Sequence, residues 1–189
     1  MAEPLPGLGE GGGPSPRAAV AAVLRDADHG AEILFIQRAA KDTDPWSGQM
    51  AFPGGRVDAT DLDTHHTAER EALEEVDLDL TFGIRLGSLS ELDGGRATNR
   101  LISVCAHVYW LEGPRPPLRP NYEVADIVWI PVSALIDQGR YIDYFYPRSG
   151  AMFPGIQLDA EGQVIWGLTL RFLSDLFRRL DHPFIELPR

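Results

Sequence analysis

The spacing of apolar and polar positions divides the chain into early strands, one amphipathic helix, more strands and a closing helix. Residues 18–24 (AAVAAVL) and 33–37 (ILFIQ) are apolar, partly β-branched runs separated by the charged, turn-rich RDADHGAE. Two such runs about a short connection predict a β-hairpin. AKDTDPWSG then reads as a loop, and residues 49–52 as a short strand that stops at a Pro53-Gly54-Gly55 turn. From residue 64 to about 76 the period becomes 3.6: Ala68, Ala72 and Val76 recur every fourth position, with Leu73 beside them. That stripe predicts a helix capped by Asp63 or Thr64. Strands are expected at 85–92, 102–110, 127–130 and 141–146, and a short helix at 132–136. GPRPPLRPN is a proline-rich loop, and residues 156–158 and 164–166 flank a hairpin turn, Asp-Ala-Glu-Gly. Trp166, Leu170, Leu173, Phe177 and Leu180 form the apolar stripe of a last helix. Strand and helix do not alternate strictly, so the expected class is mixed α/β (α+β): a mixed β-sheet packed between α-helices.

Length and composition narrow the picture. The chain has 189 residues, 44% hydrophobic and 24% charged, enough for one domain over residues 17–189. Residues 1–16, rich in Gly, Pro and Glu, read as a disordered tail. A net charge of −11 argues against nucleic acid as partner. It also means that a phosphate substrate needs local compensation from arginines or cations. Cys105 is the one cysteine and sits in an apolar run, so it is expected to be buried, in a reducing, cytoplasmic setting. No apolar stretch approaches the length of a membrane helix and the N-terminus has no secretory pattern. A monomer or homodimer without a membrane partner is expected.

The chemistry lies in the first helix. Glu71, Glu74 and Glu75 stand three and four apart and share one helical side. Like charges so placed each cost a few tenths of a kcal/mol, so stability alone would not select them. A bound cation turns that repulsion into a ligand field. Clustered carboxylates without cysteine or a well-placed histidine suit Mg²⁺ or Mn²⁺. As a lone string, EALEE reads as a solvated acidic face, with Arg70 and Glu74 an ordinary pair worth about 0.3–0.5 kcal/mol. The preceding Phe52-Pro53-Gly54-Gly55 changes that reading, because a diglycine bend lets backbone approach a cation or a phosphate.

Here the chain resembles the Nudix hydrolases. Their signature is a glycine, five residues, an acid, seven residues, then Arg-Glu-apolar-x-Glu-Glu-x-Gly-apolar. This sequence has Gly55, five residues, Asp61, eight residues, then Arg70-Glu71-Ala72-Leu73-Glu74-Glu75-Val76-Asp77-Leu78. Asp61 replaces the usual glutamate, the spacer is one longer, and Asp77 replaces the late glycine. The first two departures are similar to the coenzyme A pyrophosphatase-like branch. So are Gly48-Gln49-Met50-Ala51-Phe52-Pro53-Gly54-Gly55, Gly139-Arg140-Tyr141 and Trp166-Gly167-Leu168-Thr169. Trp46 stands where that branch usually has a histidine.

The resemblance implies a pyrophosphohydrolase that binds Mg²⁺ or Mn²⁺ through Glu71, Glu74 and Glu75, helped by a carbonyl of Gly54 or Gly55. It implies Arg70 as the residue orienting those carboxylates, and Glu71 or Glu123 as the base. Arg38, Trp46, Arg56 and Arg100 are the candidate substrate contacts. Coenzyme A or a derivative is the expected substrate, giving 3′,5′-ADP and 4′-phosphopantetheine. ADP-ribose, a dinucleoside polyphosphate or a nucleoside triphosphate is the alternative, and a degenerate nucleotide-binding module the non-enzymatic one. Intact box carboxylates weigh against the last.

The remaining candidates carry less. His65 and His66 lack the spacing of a zinc site and read as an exposed first helical turn. His107 reads as a structural histidine, and Tyr141, Tyr144 and Tyr146 as sheet packing. Arg96 and Asn99 share the Gly94-Gly95 loop with Arg100.

Overall fold

The computed structural model describes residues 18–41, 44, 46–94, 102–159, 162–185 and 187. The expected tail and Arg96, Asn99 and Arg100 lie outside these. Among the described residues the strands are β1 (Ala18–Ala27), β2 (Gly30–Arg38), β3 (Met50–Ala51), β4 (Gly54–Arg56), β5 (Ile84–Ser88) and β6 (Leu92–Gly94). They continue with β7 (Ile102–Leu111), β8 (Val124–Pro131), β9 (Tyr141–Tyr146), β10 (Ala151–Gln157) and β11 (Val164–Trp166). The helices are α1 (Thr64–Val76), α2 (Val132–Leu135) and α3 (Gly167–Arg179).

Eight strands form one mixed sheet ordered β3-β2-β1-β7-β5, with β4 paired to β1, β8 to β2 and β6 to β7. β1 and β7 run parallel, and the other pairings are antiparallel. A second sheet, β11-β10-β9, is antiparallel throughout. β1 is apolar along most of its length because it is covered on both faces. Ala19, Ala21 and Val23 pack with Ala68, Ala72 and Val76 of α1, while Ala22 and Leu24 face the cluster that holds Leu170, Leu173 and Phe177 of α3. A mixed sheet between helices is the architecture the sequence predicts. Small side chains on both α1 and β1 bring the helix close to the sheet.

Four expectations need correction. Gly54-Gly55 is not a turn but the start of β4, paired to Val20 and Ala19 of β1. The strand expected at 85–92 is two, β5 and β6, with an irregular register between Arg85 and Gly87. Leu73 is 49% exposed, because the apolar positions turned to the sheet are Ala68, Ala72 and Val76. Cys105 is half-buried rather than enclosed. The first hairpin is also tighter than its charged segment implied. Arg25 and Glu32 lie opposite each other inside the strands, and fully buried Glu32 is paired to both Arg25 and Arg115.

Candidate active site

The site is built where α1 crosses β4. Asp63 caps the helix, its Oδ1 accepting the His66 N–H at 2.8 Å. At the other end Asp77 takes the left-handed conformation, φ 59°, and turns its N–H back to the carbonyls of Ala72 and Leu73. The proline-rich segment returns to this end. Arg119 N–H donates to Val76 O at 3.1 Å and Asn121 N–H to Glu75 O at 2.9 Å, satisfying carbonyls that a helix end leaves open.

Both glycines meet box carboxylates. The Gly54 N–H donates to Glu75 Oε2 at 2.8 Å. At Gly55 a Cβ would stand 2.4 Å from Glu71 Oε1, so only glycine leaves that carboxylate its place. At Gly54 a Cβ would stand 2.3 Å from Ala19 O, so glycine there lets β4 lie against β1.

Arg70 gathers the acidic groups. It makes a two-point contact with Asp61, Nε to Oδ1 at 2.9 Å and Nη2 to Oδ2 at 3.0 Å. Its Nη1 reaches Glu71 Oε1 at 2.9 Å and Glu74 Oε2 at 3.2 Å, and Nη2 also donates to Arg56 O at 3.0 Å. Bonding to Arg70 holds the Asp61 carboxyl far below the usual carboxylate range, and bonding to Asp61 raises Arg70 in turn. Asp61 also accepts from Thr67 Oγ1 at 2.8 Å.

The glutamates differ by burial. Glu75 is 2% exposed, and burial pushes its carboxyl up to about 7, against the pull of the Gly54 N–H and Arg38. Arg38 Nη1 stands 4.0 Å from Glu75 Oε1. Burial raises Glu71 as well, although Arg70 opposes it. Glu74 is exposed over half its side chain. The Glu123 carboxylate repels both Glu71 and Glu75, which puts it in the same electrostatic neighbourhood.

These residues therefore come together: Glu71, Glu74, Glu75, Arg70, Gly54, Gly55, Arg38 and Glu123. Trp46 joins only through its backbone, whose N–H donates to Asp44 Oδ1 while Asp44 Oδ2 binds Arg38. Arg56 contributes its carbonyl to Arg70, and its side chain is exposed at the end of β4. Arg100 lies outside the described residues. Asp61 as the partner of Arg70, and Asp44 as the partner of Arg38, were not singled out from sequence. The Asp61 spacing was visible in the box, whereas the Arg38–Asp44 pair crosses a loop and left no periodic signal.

The donor set suits a hard divalent cation. Oxygen ligands gather in a partly desolvated place, with Arg70 and Arg38 opposing more carboxylates than they can neutralise. Among the described residues no three His, Cys, Asp or Glu side chains stand at the spacing of a closed metal site. Arg70 Nη1 is interposed between Glu71 and Glu74. The histidines are held otherwise: His65 pairs with Glu69 at 2.8 Å, and His107 Nε2 lies 3.0 Å from Thr64 Oγ1. His65 is thus less exposed than its position in the first turn predicts. Tyr144 and Tyr146 pack on Trp166, as expected of sheet residues. No helix of the described residues is long and apolar enough to cross a membrane.

Known proteins resemble the chain over most of its length. The NUDIX domain model matches residues 15–148. An uncharacterized Nudix hydrolase of Yersinia pestis, NudL, is 31% identical over 152 residues, which cover 78% of this chain and 72% of that protein. An uncharacterized protein of Schizosaccharomyces pombe is 36% identical over 131 residues, and the chain spans only 40% of its length. The crystal structure of a MutT/nudix family protein from Enterococcus faecalis shares the fold, with a TM-score of 0.56 at 16% identity, covering 91% of this chain and 64% of that one. The chain that sets Gly55 against Glu71 and Gly54 against Glu75 belongs to the Nudix family and is a pyrophosphate-cleaving hydrolase of it.

Proposed function

We propose that the protein is a divalent-cation-dependent pyrophosphohydrolase acting on a nucleoside-diphosphate-linked substrate, with coenzyme A or a coenzyme A derivative as that substrate. One observation carries the reading. Buried Glu75, supported by the Gly54 N–H, belongs with Glu71, Glu74 and Glu123 to a group of negative charges that the protein's own cations do not balance. The coenzyme A assignment is supported by the similarity of residues 48–55 to that branch.

In this reading Glu71, Glu74 and Glu75 hold Mg²⁺ or Mn²⁺. When bound, the ion neutralises the phosphoanhydride oxygens and lowers the pKa of a water. Arg70 restrains Glu71 and Glu74 by hydrogen bonds, because Asp61 fixes the guanidinium. Arg38, whose Nη1 stands 4.0 Å from Glu75 Oε1, is the guanidinium for the phosphates, with Arg56 and Trp46 as further candidate contacts. Glu123 or Glu71 accepts the proton as water oxygen bonds to phosphorus. The bridging P–O bond breaks and its electrons leave with the second phosphate.

The test is a panel of coenzyme A, ADP-ribose, a dinucleoside polyphosphate and an oxidised nucleoside triphosphate, with Mg²⁺ or Mn²⁺ and product analysis. Coenzyme A should give 3′,5′-ADP and 4′-phosphopantetheine. Glu75→Gln should lower turnover by about 10²–10³-fold without loss of the folded state. Full activity in that variant would reject the site, and faster turnover of ADP-ribose would reject the substrate.

A further inference from the structure

The proline-rich segment is left without a role by the reaction above. One end is anchored far from the glutamates. Arg115 Nη2 pairs with buried Glu32 at 2.7 Å, and the Gly113 carbonyl accepts from Arg25 Nη2 at 3.1 Å. The other end reaches the helix that carries the box, through the Arg119 and Asn121 N–H groups on Val76 and Glu75. Asn121 then does something Arg119 does not: its side-chain Oδ1 accepts the backbone N–H of Glu123 at 2.8 Å. The Glu123 carbonyl in turn accepts from Ala39 N–H at 2.8 Å, next to Arg38. Glu123 is thus gripped from both sides, by the backbone that carries Glu75 and by the strand end that carries Arg38. Tyr122 between them is 85% exposed and contributes no packing that would set this geometry.

We propose that Asn121 is a positioning residue for the reaction: it joins Glu75 O to Glu123 N–H and so fixes the Glu123 carboxylate against those of Glu71 and Glu75. The inference rests on the site proposed above and adds what holds its outlying acid in place. An asparagine that accepts from the N–H two residues on closes an Asx turn, which serine reproduces more weakly and alanine cannot form. Without that bond the backbone of Glu123 keeps its tie to Ala39 but loses the one to Asn121, so the point from which its side chain extends is less fixed. A displacement of about 1 Å at a reacting group is worth up to about 10²-fold in rate.

The experiment is a double-mutant cycle on the full chain, using Asn121→Ala, Glu123→Gln and the pair. Turnover is measured with the best pyrophosphate substrate, and Mn²⁺ binding to the free protein by titration. Asn121→Ala should lower kcat by about 10–100-fold with a smaller change in KM, and weaken Mn²⁺ binding by the same factor as Glu123→Gln. In the Glu123→Gln background it should cost nothing more, because a residue that acts through Glu123 has nothing left to position. Asn121→Ser should recover most of the loss, and it keeps the test alive if the alanine variant does not fold. Equal losses from Asn121→Ala with and without Glu123, or an inactive serine variant that is well folded, would overturn the proposal. So would an unaffected Glu123→Gln enzyme. Glu71→Gln run alongside separates the two readings: if it stays active the site itself is wrong, and if it alone is inactive only the role of Asn121 and Glu123 falls.

Discussion

At the scale of single residues, the two adjacent glycines have different duties, and alanine tells them apart. A Cβ at Gly55 would meet the end of the Glu71 side chain, which can swing aside, whereas a Cβ at Gly54 would meet Ala19 O and Val20 Cα, which cannot. Gly55→Ala should therefore keep its stability within about 1 kcal/mol while turnover falls about 10–100-fold, because Glu71 is displaced. Gly54→Ala should instead lower the melting temperature by prising β4 from β1. Thermal melts beside turnover of the two variants check this, and a Gly55→Ala enzyme with normal turnover would show that Glu71 does not need its place. Arg70 illustrates the same local economy. Its contacts to Asp61, Glu71, Glu74 and Arg56 O need a planar, many-donor group that lysine does not offer.

At the scale of elements, α1 ends in a strained way. Asp77 adopts φ 59°, a conformation that costs a side-chain-bearing residue roughly 1 kcal/mol and glycine almost nothing. Asp77→Gly should stabilise the fold by about 0.5–1 kcal/mol and leave turnover unchanged, which denaturant titration and a rate measurement would check. A destabilised variant would mean that the Asp77 side chain has a role its backbone does not show. This helix was legible in the sequence, from its cap at Asp63 to its end at Val76, because a 3.6-residue repeat and a capping aspartate are local signals. So were the β1–β2 hairpin and α3. β4 was not legible: Gly54-Gly55 reads locally as a bend, and only β1, more than thirty residues away in sequence, makes it a strand. The break between β5 and β6 was hidden for a similar reason, since it depends on register against β7. For the site, the spacing of the glutamates was visible, but their unequal burial was not. Glu74 and Glu75 are neighbours in sequence, yet one is exposed and the other enclosed, and the difference is made by β4 and Arg38.

At the scale of the whole molecule, the end of the first hairpin is held by an ionic cluster. Glu32 is 0% exposed between Arg25 and Arg115, and both guanidinium groups lie 5.9 Å from the ring centre of Trp129. Burial alone would raise the Glu32 carboxyl, and the two arginines overcome it and hold it below its ordinary value. Glu32→Gln leaves buried Arg25 without a counter-charge and should cost about 3–5 kcal/mol, read by urea unfolding. The activity of the remaining folded protein should change only as far as the segment 113–121 loosens. β1 is the middle strand of the large sheet, with β2, β4 and β7 all bound to it. Its parallel partner is made last of the three, and the pairing joins Ala18 to Val104. Such distant pairings form late, after loop closure has been overcome. A chain made from its N-terminus therefore leaves one flank of β1 bare until the residues of β7 have been added, about eighty positions after β1 itself.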